Sequence, residues 1–429
     1  MRIVGLDVHK KVIEACFMTP EGQVQKRHRF DLDREKLQDF AREHLSNEDR
    51  VSLEATTNTW AVVEALKPYV AEVVVSNPLK TKAIAEARIK TDKVDAEVLA
   101  HLLRSDFLPR VWEPPQETQE LRRLCSRRAA LVGHSVAIKN RIHSILHQRM
   151  VQAPEEDLFS EKGLAWLKTC PLDEEGRFSL ESDLRLLDSI QDELRTLKSH
   201  LAPKAYADER VRLLMTLPGV DMTIALALVS ALGDVSRFKE ADKAASYLGL
   251  VPSTKQSAFH TYHGPITKAG NSNARWLLVQ AAQKLYLHPG PLGHFFRKLA
   301  KRKNRNVAVV ATARKLVVIA WHMLKSHQPY RYALPGPTQA KLQRLRVMAT
   351  GEKRKGGFKP GQARTAKLGP GTRSKTLKSL PQLLADEGLP ALQTPPPGES
   401  RTLAAAKARR FVRSLNKTTV LQKPRKAKP

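Results

Sequence analysis

The segment RIVGLDVHKK, residues 2–11, constrains the fold more than any other stretch of this chain. It reads as a short apolar strand with one acidic residue, Asp7, near its end. A carboxylate on a buried strand is costly unless it is paired or binds a metal ion. The remaining sequence therefore has to bring partners to Asp7, and this requirement selects among folds.

The residues that follow alternate strands and helices. Strands are expected at 2–8, 12–18, 24–30, 51–55 and 73–75, with Pro20, Glu21 and Gly22 forming a turn between the second and third. Helices are expected at 33–45, where Leu37, Phe40 and Leu45 share a face below a cap at Asp33, at 59–66, near Lys80, and at 92–103. The order β-β-β-α-β-α-β-α is that of an RNase H-like domain, expected over 1–112.

From Gln116 the pattern becomes heptad-like. Leu124, Leu131, Ile138 and Ile145 recur every seven residues, as do Leu180, Leu187, Leu194 and Leu201. Over 113–205 this predicts either an antiparallel coiled-coil connector or two amphipathic helices of a simple bundle. A helical domain is expected over 206–335. It opens on LPGVD, where Asp221 is placed to cap a helix. That turn resembles a helix-hairpin-helix, whose amides hold a DNA phosphate, although Asp221 replaces the usual second glycine and an ordinary helical turn fits equally. The fold class is thus α/β plus all-α.

The chain carries 73 Lys plus Arg against 43 Asp plus Glu, a formal charge of +30. Such an excess favours a polyanionic partner, and binding that weakens steeply with salt. From Lys341 onward there are 22 basic and four acidic residues, among Pro- and Gly-rich segments. The region 336–429 is therefore expected to be a basic, largely disordered tail, with at most one basic helix near Thr402–Leu415. No apolar run is expected to span a membrane, because Arg314 and Lys315 interrupt Val307–Leu324, and no signal-peptide core is expected at the N-terminus. Cys16, Cys125 and Cys170 have no metal-ligand spacing and fit a reducing cytoplasm.

Two sets of residues carry candidate chemistry. Asp7 and Glu54 end neighbouring strands, and KTDKVDAEVLA places Asp92 and Asp95 on one helical face. Four converging carboxylates suit Mg2+ or Mn2+; an acidic pair opening a surface helix is the plainer alternative for Asp92 and Asp95. Lys10, Lys11, Arg88, Lys90 and Lys93 flank the acids and are candidate phosphate contacts. His9 reads as a strand-end or phosphate-contacting residue. Downstream, Ser257 lies in a polar loop with Lys255, His260, His263, Lys268 and Arg275. Serine is a weak nucleophile without assistance, and Ser253 is an equally available candidate on chemistry alone.

Taken together, GLDVHKK, LEAT, KTDKVDAEVLA, LPGV and GLVPSTKQS…GPITKAGNSNAR resemble the insertion-sequence-110 family of DEDD transposases over residues 1–325. The resemblance implies a RuvC-like domain whose Asp7, Glu54, Asp92 and Asp95 hold the metal ions. It also implies a catalytic Ser257 that forms a phosphoserine link to DNA, with Lys10, Lys11, Lys90, Lys93, Lys268 and Arg275 near nucleic acid. Family members recombine DNA under a structured bridge RNA, as dimers or tetramers with composite sites, which implies DNA, RNA and self-association as partners and a cytoplasmic, nucleoid-associated location. One departure is Ala258, where the family commonly has glycine.

Overall fold

The structure is a computed structural model, and it describes residues 1–85, 91–154, 157–257, 260–352, 372–394, 401, 403–404 and 408–424. The chain divides into two compact units, Met1–Pro115 and Gln116–Pro429.

The first unit is a five-stranded mixed sheet with helices on both faces. Its strands are β1 (Ile3–Val8), β2 (Val12–Met18), β3 (Val24–Asp31), β4 (Arg50–Glu54) and β5 (Glu72–Ser76), in the spatial order β3-β2-β1-β4-β5. Strands β1, β2 and β3 pair antiparallel, whereas β4 runs parallel to β1 and β5 parallel to β4. This arrangement agrees with the RNase H-like order expected from the sequence. The pleat sends alternate residues to opposite faces. Val4, Leu6, Ile13, Ala15 and Phe17 pack against α1 (Arg34–His44) and α2 (Thr59–Leu66). The other face, with Ile3, Met18 and Val74, packs against Leu99, Ala100 and Leu103 of α4 (Asp92–Arg104), which follows α3 (Pro78–Ile84).

The second unit is mainly helical. The long helices α5 (Gln116–Gln148) and α7 (Glu174–Ala207), with α6 (Glu161–Leu167) between them, share a core of Ile138, Ile142, Leu146, Leu180 and Leu187. Contact between the end of α5 and the start of α7 makes the pair an antiparallel hairpin. Asp183, almost buried, ties it by accepting from Nε and Nη2 of Arg141. The principal core surrounds α8 (Glu209–Leu214) and α9 (Met222–Leu232), together with α10 (Ala241–Tyr247), α11 (Ser272–Gln283), α12 (Pro291–Arg302) and α13 (Arg305–Ser326). Between α10 and α11 the chain forms a two-stranded antiparallel ribbon, β6 (Pro252–Ser257) and β7 (His260–Ile266). Helix α13 is long and apolar enough to cross a bilayer by length and composition, which corrects the sequence expectation for Val307–Leu324. Half of its apolar window is buried within the protein, where Ala313, Leu316, Val317 and Ala320 serve as core.

Of the expected tail, residues 353–371, 395–400, 402, 405–407 and 425–429 lie outside the described residues, while the described part carries helices and strands. Helix α14 (Pro335–Thr350) buries Thr338, Leu342 and Leu345, and α15 (Leu380–Asp386) buries Leu380, Leu383 and Leu384. Strands β8 (Thr372–Leu377) and β9 (Thr419–Pro424) pair antiparallel. The apolar clusters of this region, Leu380–Leu384 among them, are too sparse to form a core of their own. A stripe of this kind needs no core of its own when it completes one supplied by other helices.

Helix α14 also supplies Lys341, whose Nζ donates to the carbonyls of Leu217 and Val220 at 2.7 and 2.8 Å. This contact pins the LPGV turn, whose Asp221 caps α9 by accepting from the Ile224 amide. Burial pushes the Lys341 ammonium down from 10.5 to about 8. The folded state then sheds its proton first, so between about pH 8 and 10.5 the unfolded chain binds more protons and stability rises with pH. The stability gap between the natural chain and Lys341→Met should therefore widen in favour of the natural chain across this window. Its upper bound is on the order of 3 kcal/mol. Melting curves of both proteins at several pH values test this, and a gap that narrows refutes it.

Candidate metal centre

The face of the sheet beneath α4 carries a row of charge across four strands. Leu6 and Leu53 are register partners on the parallel strands β1 and β4, so Asp7 and Glu54 follow them at the strand ends. Asp7 is paired in register with Glu14 of β2, and Glu14 with Arg29 of β3. Two contacts identify the face. The Ser52 hydroxyl donates to the Leu99 carbonyl of α4 at 3.1 Å, and Glu54 lies two residues further along the same strand. Gly5, two residues before Asp7, lies directly against α4: a Cβ there would stand 1.9 Å from the Ala96 carbonyl oxygen. The glycine lets the helix descend onto the sheet and brings its first turn over Asp7.

That first turn holds Asp92 and Asp95, below an N-cap in which the Thr91 side chain accepts from the Val94 amide. Asp7, His9 and Asp92 each offer a ligand atom within 4.8 Å of the others, the one such group of three among the described residues. His9 Nε2 lies 3.0 Å from Asp7 Oδ2 and 3.3 Å from Asp92 Oδ1. Arg29 Nη1 lies 3.3 Å from Asp92 Oδ2 and 3.7 Å from Glu14 Oε2. Burial pushes the Asp7 carboxyl above its ordinary range; His9 opposes this, and the charges of Asp95 and Asp92 add to it. Oε2 of Glu14 is buried without a hydrogen bond. Two carboxylates and one imidazole within reach of one another, Asp7 largely buried and Asp92 and His9 open to solvent, form a donor set that fits a divalent cation.

Of the four expected ligands, Asp7 and Asp92 fall in the tight group, Asp95 acts on Asp7 through its charge, and Glu54 ends the strand beside Asp7. His9 joins the group with a ring nitrogen, which differs from the strand-end role read from the sequence. Gly5, Glu14 and Arg29 were missed. The available signal was their spacing on adjacent strands, but it becomes readable only once the register is known.

Lys10 and Lys11 are exposed in the turn between β1 and β2. Lys93 is exposed on α4, and its carbonyl accepts from Arg27 Nη1 at 2.8 Å. Arg88, Lys90 and Ala258 lie outside the described residues.

Within the second unit, Ser257 ends β6, paired in register with His260 of β7. It is exposed, as are Lys255, His260, Tyr262 and His263. The Thr254 hydroxyl and His263 Nδ1 are 3.1 Å apart. Ser253 is partly buried on the same strand. Gly270, in the left-handed region, closes the base of this ribbon, where a Cβ would stand 2.0 Å from the Tyr247 carbonyl oxygen. Arg275 Nη1 donates to the Leu248 and Ala269 carbonyls at 3.0 and 2.7 Å, so this side chain clamps the loop, while burial lowers its pKa. Lys268 is exposed on the same loop, and its amide donates to the Gly249 carbonyl.

The mixed sheet, with its acids under a helix N-terminus, agrees with an RNase H-like domain of DEDD type. A family model described as Transposase, the DEDD transposase model of IS110 elements, matches residues 4–151. Another, described as Transposase IS116/IS110/IS902 family, matches residues 211–296. The chain belongs to the IS110 family of transposases. It is 29% identical over 206 residues to the y4qE protein of Sinorhizobium fredii, covering 48% of this chain and 50% of that one, so it spans about half of that relative's length. It is 29% identical over 247 residues to the transposase for insertion sequence element IS1328 of Yersinia enterocolitica, covering 54% and 71%. It is 24% identical over 345 residues to the pilin gene-inverting protein of Moraxella bovis, covering 76% and 97%.

Proposed function

We propose that this chain cuts and rejoins DNA as a site-specific recombinase of an insertion sequence, with Asp7, Glu54, Asp92 and Asp95 as ligands of Mg2+ or Mn2+ and Ser257 as nucleophile. The gathering of Asp7, Asp92 and His9 beneath α4, inside a region matched by the DEDD transposase model, carries this reading. The name of the Moraxella relative, a pilin gene-inverting protein, supports a reaction that cuts and rejoins DNA.

A divalent cation held there supplies Lewis-acid stabilisation of charge on the scissile phosphate. The carboxylates fix its place, and exposed Lys10, Lys11 and Lys93 on the same unit attract the DNA backbone. Ser257 Oγ forms a new ester bond to phosphorus as one P–O bond to deoxyribose breaks. The serine proton is lost and the departing sugar oxygen gains one. The bond energy is kept in the protein–DNA ester, so rejoining requires no high-energy cofactor. Ser257 sits on an exposed two-stranded ribbon, a place from which a substrate can reach it. The charge of +30 suits a complex with both DNA and RNA, and guidance by a structured RNA and self-association follow the family resemblance.

Incubation with DNA carrying the element ends, followed by denaturing electrophoresis, tests the covalent step. The expected result is a protein–DNA adduct that disappears in Ser257→Ala and persists in Ser253→Ala. Full strand transfer by Ser257→Ala would replace this mechanism with that of a metal-dependent nuclease.

A further inference from the structure

Glu14 is the residue for which the four-carboxylate scheme has no place. Its side chain is 2% exposed, and its Oε2 has no hydrogen-bond partner. It stands in register with Asp7 on the antiparallel strand, on the face covered by α4. Like charges placed opposite each other across a sheet repel, and a buried carboxylate costs several kcal/mol unless a cation compensates it. Among the described residues the cation paired with it is Arg29, at 3.7 Å from Glu14, and its side chain is 56% exposed. The same Nη1 also faces Asp92 at 3.3 Å. One solvated guanidinium is thus shared between two acids of a site that also contains Asp7. His9 lies against Asp7 and Asp92, and Glu14 is outside that tight group.

We infer that Glu14 is a positioning carboxylate of the divalent-cation site, and that Arg29 is the counter-ion it shares with Asp92 when no divalent cation is bound. Glu14 adds negative charge behind Asp7 and holds Arg29 where it can yield to the cation. This inference rests on the metal-centre reading above.

Titration of the full chain with Mn2+ alone, by calorimetry or electron paramagnetic resonance, tests it without any DNA. Glu14→Gln is expected to weaken Mn2+ binding by roughly tenfold, with an unchanged or higher melting temperature in the absence of metal. Glu14→Asp, which retains the charge, should recover most of the affinity. Arg29→Gln should tighten binding severalfold, because a competing cation is removed; this variant leaves Glu14 in place and keeps the test decisive even if Glu14→Gln does not fold. Equal affinity in the natural chain and Glu14→Gln, or unchanged or weaker binding in Arg29→Gln, overturns the inference while leaving the metal centre standing. A natural chain that does not bind Mn2+ overturns the metal centre itself, and the inference with it.

Discussion

Asp7→Asn is expected to fold, to lose Mn2+ binding, and to lose DNA strand cleavage by roughly a hundred- to a thousandfold. The side chain is 16% exposed and lies between His9, Asp92 and Asp95. Its carboxyl is pushed upward, first by burial, so the ionised form withdraws stability as pH rises through its folded range. Asparagine keeps the shape and an acceptor oxygen for His9 while removing the charge that repels Asp92 and Asp95. Metal-free melting should therefore hold steady or rise, whereas the stabilisation that added Mn2+ gives the natural chain should vanish. Differential scanning calorimetry with and without Mn2+ separates these effects, and a cleavage assay supplies the third measurement. A variant that cleaves at the natural rate would remove Asp7 from the chemistry. One that melts early without metal would make it a structural residue.

The acids were legible in the sequence for a local reason. Asp7 and Glu54 each interrupt an apolar strand at its end, and Asp92 and Asp95 sit at helical spacing just inside a capped helix. A single sequence supplies such patterns directly. It does not supply the register between strands, and Glu14 and Arg29 acquire meaning only when β1, β2 and β3 are aligned so that both fall in line with Asp7. His9 escaped for a related reason: two residues beyond Asp7, its reach to Asp92 depends on where α4 starts above the sheet. In the second unit, Ser257 was picked out by motif, and the structure adds the exposed ribbon that carries it. Arg275, read as a phosphate contact, is occupied in part by two loop carbonyls, because its place at the start of α11 points it back into the loop. In the described part of the tail, composition says less than spacing: Leu342, Leu345, Leu380 and Leu384 join the core of the second unit.

Gly5→Ala is expected to be the most damaging single-methyl change in the first unit. The new Cβ would stand 1.9 Å from the Ala96 carbonyl oxygen and 2.8 Å from the Ala100 amide nitrogen. Both are backbone atoms of α4, so no side-chain rotation relieves the overlap, and the helix must lift away from the sheet. Lifting it strips Ile3, Met18, Leu99 and Leu103 of their packing, and breaks the bond from the Ser52 hydroxyl to the Leu99 carbonyl. Overpacking of this kind costs about 3 kcal/mol or more. For a unit of this size that corresponds to a drop of about 10 °C or more in its melting transition. Because α4 also carries Asp92 and Asp95, the same displacement parts them from Asp7, and Mn2+ affinity should fall together with stability. This coupling distinguishes Gly5→Ala from Asp7→Asn, where affinity falls and stability does not. Hydrogen exchange locates the damage: amides of α4 should lose protection in Gly5→Ala well before those of α1 and α2, which pack on the opposite face. Unchanged melting and unchanged α4 protection would mean that the helix does not rest on Gly5. The row of charge beneath it would then lack the contact that brings Asp92 to Asp7.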